Sequence, residues 1–594
     1  MGFIFGAMNA IGGEKAILEV IQDRLKEGSP GDRRIYRHKT PTLLRYIRIL
    51  YFLPVFDMER PIELDDYKGK TLGAIISLDG RHVRYRTADR FLRELASLGA
   101  GDDMSLSLAG YYYKAFYGVE MPVYVDGHFK AVWTLKNIPE GKHGMMDRVM
   151  PGLKQVFLNG QRGHPLLHRT CPGDRHLTKE LLPIVRDFED AVGREVVNVV
   201  VFDGEGCSLE VFKAFDRLNT GREKRIYPLT VLDSNQYRWE DFRVKEKGRR
   251  PLEEKDFEVL RRDKKGRVKT RVALVEFDYL SNANRRRKDG EEYQVRCALV
   301  KKENGKLTAI VTTMPYGEIG SSRELANLYY NRWPCQEARF KEMTRYCNLD
   351  VNHGFKKKEV FNRTAAKRLE KVEMSLAYNV RRLENLEVEI ERVRRQVTKR
   401  NAQRERALGK LEGQVERARG MLRDGRGDEG KQRARLEKKL RELGRLEGEY
   451  QEKMKVLKGR ERRLGKKVEK ISKSIERNRE EVERWRKERE KPLYELDTEM
   501  DHVMTNFKIL YENSLLCANE TFFEGRVGMD MMHRQFINHY GDLEMLDGGK
   551  RLRFRLNRFD GKGLTKKARR ACRIFNGMKI RTSDGILLEM AVKR

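Results

Sequence analysis

EVVNVVVFDGEG, residues 195–206, carries a run of apolar, mostly β-branched residues, interrupted only by Asn198, that halts at an aspartate followed by a glycine. A continuous apolar run, rather than an alternating one, marks a strand covered on both faces, as at the centre of an α/β sheet. Asp203 then falls at the end of a buried strand. Upstream, LTKELLPIVRDFEDAVG (177–193) has the apolar spacing of an amphipathic helix, and MPVYVDGHFKAVW (121–133) reads as a strand, a turn at Asp126-Gly127 and a second short strand. Downstream, YQVRCALVKKENGKLTAIVTTMP (293–315) holds two alternating runs around Asn304-Gly305, the signal of a β-hairpin, within a strand-rich segment from about 227 to 314. SSRELANLYYNRW (321–333) reads as a helix. Pro334 suits the first turn of a new helix, where its missing N–H costs nothing, and Glu337 falls one turn in.

Beyond this α/β text the composition changes. From 365 to 491 Pro is absent and aromatics are few, and RLEKVEMSLAYNVRRLENLEVEIERVRRQV (368–397) repeats apolar residues at threes and fours, the pattern of a coiled coil. Gly425, Gly427 and Gly430 interrupt it and leave two arms of about 60 residues, each ~90 Å long as a helix. Equal arms about a Gly-rich turn predict an antiparallel hairpin, closed by Pro492. The competing arrangement is one long helix that pairs in parallel with a second chain. An inserted hairpin returns the chain to its point of departure, so the flanking sequences can belong to one domain.

The chain has 594 residues, enough for about two to four domains. Lys and Arg exceed Asp and Glu by 34 although both are abundant, which favours polyanions as partners, nucleic acid before anionic membrane. The seven cysteines are scattered without a C-x-x-C pair, which argues against a zinc site and a disulfide framework and fits a reducing cytoplasm. MGFIFGAMNAIGG (1–13) lacks the basic start of a signal peptide, and no run is long enough to span a membrane. RRIYRHKTPTLLRYIRILYF (33–52) lies in an N-terminal segment, 1–110, that is mostly helical and a candidate DNA-binding region.

Three acids stand out by position: Asp126 and Asp203 after strands, and Glu337 on a helix. Two neighbouring strand ends and one facing helix can gather three carboxylates, and an all-oxygen cluster suits Mg²⁺ or Mn²⁺. Two such ions clamp the attacking and leaving oxygens of a phosphoryl displacement. Asp79, in IISLDGRHVR (75–84), is a rival first acid because it too follows an apolar run.

The ordered motifs VYVDGHFK (123–130), VVVFDGEGCSLEVF (199–212) and LYYNRWPCQEARFK (328–341) resemble the DDE transposases of bacterial insertion sequences, in the group with a strand insertion and a Tyr-Arg-Glu-Lys signature. The likeness covers about 70–362 and resumes at YELDTEMDHVMTNFKILYENSL (494–515). It implies an α/β RNase-H-like catalytic core over 111–364 with a β insertion at about 225–315, interrupted by the hairpin at 365–491 and completed by a helical return and basic segment at 492–594. By the resemblance, Asp126, Asp203 and Glu337 are catalytic metal ligands for Mg²⁺ or Mn²⁺. Tyr329 and Arg332 hold element-end DNA, and Trp333 matches an aromatic beside that Arg. The pattern departs from the family in two places. Four residues rather than three separate Arg332 from Glu337, and Thr344 stands where the signature has Lys, leaving Lys341 or Arg345 to meet that phosphate. The implied activity is metal-dependent cleavage of DNA at transposon ends and strand transfer into target DNA. The implied partners are double-stranded DNA and further copies of the chain, in a prokaryotic cytoplasm at the nucleoid. A transposase that binds without cutting, or a coiled-coil DNA-organising protein, is the alternative. An ATPase of the long-hairpin type is disfavoured because no G-x-x-x-x-G-K-[ST] loop is present.

Overall fold

The computed structural model describes residues 1–27, 38–66, 73, 83–144, 146–245, 248–279, 293–354, 356–423 and 428–593. They divide into two compact units, Met1–Lys358 with Tyr494–Arg594, and Glu359–Leu493.

The larger unit is mixed α/β. Its main sheet contains β1 (Met121–Ala131), β2 (Glu140–His143), β3 (Arg148–Gly160), β4 (Pro165–Pro172), β5 (Val197–Phe202), β6 (Tyr227–Val231), β7 (Arg243–Val244), β8 (Arg250–Pro251), β9 (Glu258–Arg262), β10 (Val268–Tyr279), β11 (Tyr293–Lys302) and β12 (Leu307–Thr312). The strand order is β2-β3-β1-β5-β6-β12-β11-β10-β7-β8, with β4 also on β3 and β9 also on β10. β5 is central and parallel to both neighbours, and Val200, Val201 and Phe202 are fully buried, as a strand covered on both faces requires.

The fifth strand is entered from helix α6 and left through α7, once the helices are counted in chain order: α1 (Gly2–Ala10), α2 (Gly13–Glu27), α3 (Thr40–Phe52), α4 (Tyr85–Ser97), α5 (Ala100–Phe116), α6 (Leu181–Val192) and α7 (Leu209–Asn219). α6 buries Leu181, Ile184, Val185 and Phe188 along one side and stops at Gly193, whose φ of 75° is the left-handed cap that glycine supplies cheaply. The Ser208 hydroxyl caps α7 by accepting from the Val211 N–H. The β11–β12 hairpin turns at Asn304-Gly305, with φ of 79° at Gly305, and β12 joins the sheet antiparallel to β6.

The structure corrects one expectation. β1 does not turn at Asp126-Gly127 but runs straight on, paired with β3 from Val123 to Ala131. Gly127 serves close approach instead, because a Cβ there would lie 2.4 Å from Cε of Lys154.

The described N-terminal residues add to this core rather than building their own. Phe3, Phe5, Leu44 and Phe52 share one apolar cluster with Val123 and Val200 of the sheet. On α3, Arg48 is buried, 2.6 Å from Glu14 and 2.9 Å from Asp584, so its charge is spent inside the fold. Asp79 lies outside the described residues.

Three more helices complete the positioning of the site: α8 (Ser322–Tyr330), α9 (Ala338–Cys347) and, after the insertion, α12 (Glu499–Cys517); the two between them, α10 (Arg363–Arg423) and α11 (Glu429–Glu490), make up the smaller unit. Residues 501–517 of α12 are all buried, polar ones included. Asp501 accepts from the Lys130 ammonium at 3.0 Å, the Gln155 amide at 3.0 Å and the His353 N–H at 3.1 Å, while Lys508 donates to the Asn348 and Val351 carbonyls. Burying such groups is tolerable only because they are paired.

In the smaller unit α10 and α11 pack as a long antiparallel helical hairpin. Partners descend along one arm as they climb the other: Glu373 with Arg486, Asn379 with Ser474, Glu389 with Arg460, and Arg404 with Glu447. Exposed ion pairs contribute little, so cohesion comes from the buried seam of Val393, Val415, Leu464, Ile471, Ile475 and Val482. The Asn362 amide donates to the Glu488 and Lys491 carbonyls, which holds the two ends of the insertion side by side. The turn expected at Gly425 and Gly427 lies outside the described residues, and Gly430 is already in α11. Among the described residues no helix is long and apolar enough to cross a membrane.

Candidate active site

Asp126 projects from the middle of β1, next to the parallel β5, and Asp203 follows the last residue of β5. Glu337 arrives from the other end of the sequence. Ser321 caps α8 by accepting from the Glu324 N–H at 3.1 Å. Beyond Arg332 the chain makes a π-helical turn, Trp333–Glu337, before α9. A π turn carries about one residue more than an α turn. Residues five apart, which diverge on an α-helix, therefore face the same way here, and Arg332 and Glu337 do. The four residues between Arg332 and Glu337 lie in this turn.

All three carboxylates converge on one guanidinium. Arg332 lies 3.0 Å from Asp126, 3.0 Å from Glu337 and 3.7 Å from Asp203. The Tyr329 hydroxyl donates to Asp203 at 3.4 Å, and the Arg332 guanidinium lies 6.0 Å from the Tyr329 ring centre. Burial pushes the Asp126 carboxyl up to about 6, aided by the nearby Asp203 and Glu337 charges and opposed by Arg332 and the Gly127 N–H. Burial works against the Arg332 charge, yet Asp126, Asp203, Tyr329 and Glu337 together raise it further. Tyr329 is also raised, mainly by burial. The rise at Asp126 is the cost of gathering three acids around one guanidinium.

The remaining sequence-selected residues lie apart from this hub. Trp333 is 54% exposed and carries the Lys341 ammonium 4.5 Å from its ring centre, while Arg345 pairs with Asp530 at 2.9 Å. Sequence reasoning missed Lys154, which leans over Gly127 from β3 and pairs with Glu205 at 2.7 Å, just past Asp203. Its place in an alternating strand offers no signal, because cross-strand neighbours are not written in local sequence. It also missed Arg332 as the hub of the acids.

Among the described residues, no group of three or more His, Cys, Asp or Glu side chains is spaced to hold a metal ion. The donor chemistry nonetheless fits a hard divalent cation, with three convergent carboxylates and no nitrogen or sulfur ligand. Arg332 lies between them and balances part of their negative charge. No protein-family model matches the chain, and neither the curated proteins nor the solved structures compared with it include a match.

Proposed function

We propose that the chain is a DDE transposase with an RNase-H-like core, cutting DNA at element ends and joining the freed end to target DNA. The observation that carries this is the convergence of Asp126, Asp203 and Glu337, from a strand interior, the adjacent strand end and a π-turned helix start, on Arg332. The strand order β4-β3-β1-β5-β6 supports it further: an antiparallel meander followed by two helix-connected parallel strands brings the first two acids onto neighbouring strands.

Asp126, Asp203 and Glu337 would hold the divalent ions. Such ions, when bound, polarise the attacking oxygen and neutralise charge on the phosphorus centre. Water attacks the phosphodiester, the bond from phosphorus to the 3′ oxygen breaks, and that oxygen leaves as a hydroxyl; the 3′-hydroxyl then attacks a target phosphodiester in the same way. Arg332, once released by the carboxylates, forks onto a phosphate, which its planar donors match. The exposed Trp333 offers a face for an unstacked base, with Lys341 beside it for the backbone.

The test is strand cleavage of end-bearing DNA in Mg²⁺ or Mn²⁺. Arg332→Ala is expected to lower cleavage about 100-fold while changing affinity for unrelated duplex less than about threefold, since one charge-assisted contact near the reacting phosphate is lost from a large electrostatic total. Equal losses in both assays would make Arg332 an ordinary phosphate contact. Wild-type protein that binds ends in either metal without cutting would favour the DNA-binding alternative.

A further inference from the structure

The C-terminal end of the larger unit contains a second sheet. Strands Gly541–Leu546, Arg551–Leu556 and Leu587–Val592 lie side by side, the first pair antiparallel and the second parallel. Helix α13 (Lys562–Gly577) connects the parallel pair and buries Ala568, Ala571, Cys572 and Phe575, the spacing of a single face. Lys562, Lys566, Arg569 and Arg573 recur at intervals of four, three and four, so they form another stripe, about 16 Å long. With Arg558 just before the helix they line a cleft of about 1120 Å³ in which Asp560 is the one acid. All five cations are exposed.

These five differ from several neighbouring arginines in having no carboxylate partner. On the adjoining sheet Arg551 and Arg553 pair with Glu589 and Arg555 with Glu544, and on α13 itself Arg570 pairs with Glu524. Among the described residues, no carboxylate pairs with Arg558, Lys562, Lys566, Arg569 or Arg573. Like charges four apart on a helix repel, so the stripe costs stability that nothing inside the fold returns.

We infer that this stripe binds the phosphate backbone of a nucleic-acid duplex, as a contact separate from the acid cluster. A row of cations this long exceeds one phosphate group and suits a repeating polyanion. An anionic membrane fits less well: a surface helix needs free apolar residues to enter the lipid, and those of α13 are buried or packed against the core. Tyr540 adds an 82% exposed ring at the edge, its carbonyl bonded to the N–H of Asn557 next to Arg558. The inference rests on the proposed function only in taking DNA as the duplex; it requires no cleavage.

The test is affinity for duplex DNA of arbitrary sequence, without divalent metal, as salt is varied. The fourfold variant Lys562→Gln, Lys566→Gln, Arg569→Gln, Arg573→Gln is expected to reduce the slope of log affinity against log salt by about 3 to 4, and to lose about 100-fold in affinity near 0.1 M salt. Its thermal midpoint should equal or exceed that of wild type, because the replaced side chains are exposed and unpaired and their mutual repulsion is removed. Should it fail to fold, the Lys566→Gln, Arg569→Gln pair is expected to lower the slope by about 2. An unchanged slope overturns the inference. So does an equal loss in a chain with Lys453, Lys455, Lys466 and Lys467 of α11 changed to Gln, which would reduce the effect to net charge. Loss of binding to phosphatidylserine vesicles with duplex binding intact would overturn it in favour of a membrane. Glu337→Gln should keep the wild-type slope, so a failure of the cleavage proposal would leave this result standing.

Discussion

Asp126→Asn, Asp203→Asn and Glu337→Gln are each expected to lower strand cleavage of end-bearing DNA by about 10³-fold or more, and to leave duplex affinity within about threefold. Each change keeps the shape of the side chain and removes the charge that a divalent ion needs. None removes a cation, so the electrostatic attraction to phosphate is not weakened. The fold should tolerate all three. Asp126 already resists ionisation in its buried setting, where its carboxyl is pushed up to about 6, and an amide there avoids that cost. Asp203 and Glu337 are partly exposed, at 48% and 32%. If Asp126→Asn keeps near-normal cleavage while Asp79→Asn abolishes it, the first acid is Asp79.

The second large effect concerns the hairpin. Replacing residues 367–491 with a short flexible linker is expected to leave a folded chain that still binds single DNA ends, while complexes of paired ends fall at least about tenfold. The ends of the insertion lie together, held by Asn362, so a short linker can close the gap without stretching the chain. Arms of 61 and 62 residues reach ~90 Å, far more than one active site uses and suited to joining two protomers. Light scattering with and without paired ends distinguishes the outcomes. Unfolding on deletion would mean that the arms are part of the core, and undiminished pairing would mean that they are not an assembly device.

Much of the architecture was legible because its signals are local. The apolar run of β5, the Asn-Gly turn between β11 and β12, the amphipathic period of α6 and the Pro-free arms each state their structure within a few residues. What escaped was set by distant partners. Asp-Gly within MPVYVDGHFKAVW carries the composition of a turn, yet β3 pairs from Val123 to Ala131 and Lys154 fills the space beside Gly127. α12 hides its role, because a helix buried all round normally reads as apolar throughout, while this one holds Asp501, Lys508 and Glu512 inside by pairing them. The N-terminal helices show apolar faces, but periodicity cannot name the core those faces join.

At the candidate site, Asp203 follows a strand as its sequence position indicates, whereas Asp126, expected after a strand, lies inside β1. Their meeting at Arg332 could not be foreseen, since it joins residues 206 positions apart. The π turn that aligns Arg332 with Glu337 was concealed as well, for Trp-Pro at this point reads as an ordinary helix start.

Uptake of Mn²⁺ in the presence of duplex DNA, followed by loss of the free ion's paramagnetic resonance signal, tests the account of the acid cluster most directly, because it reads the site without relying on turnover. Wild-type protein is predicted to take up about two ions per chain, and Asp126→Asn, Asp203→Asn and Glu337→Gln to lose most of that uptake. Equal uptake by wild type and all three variants would contradict it.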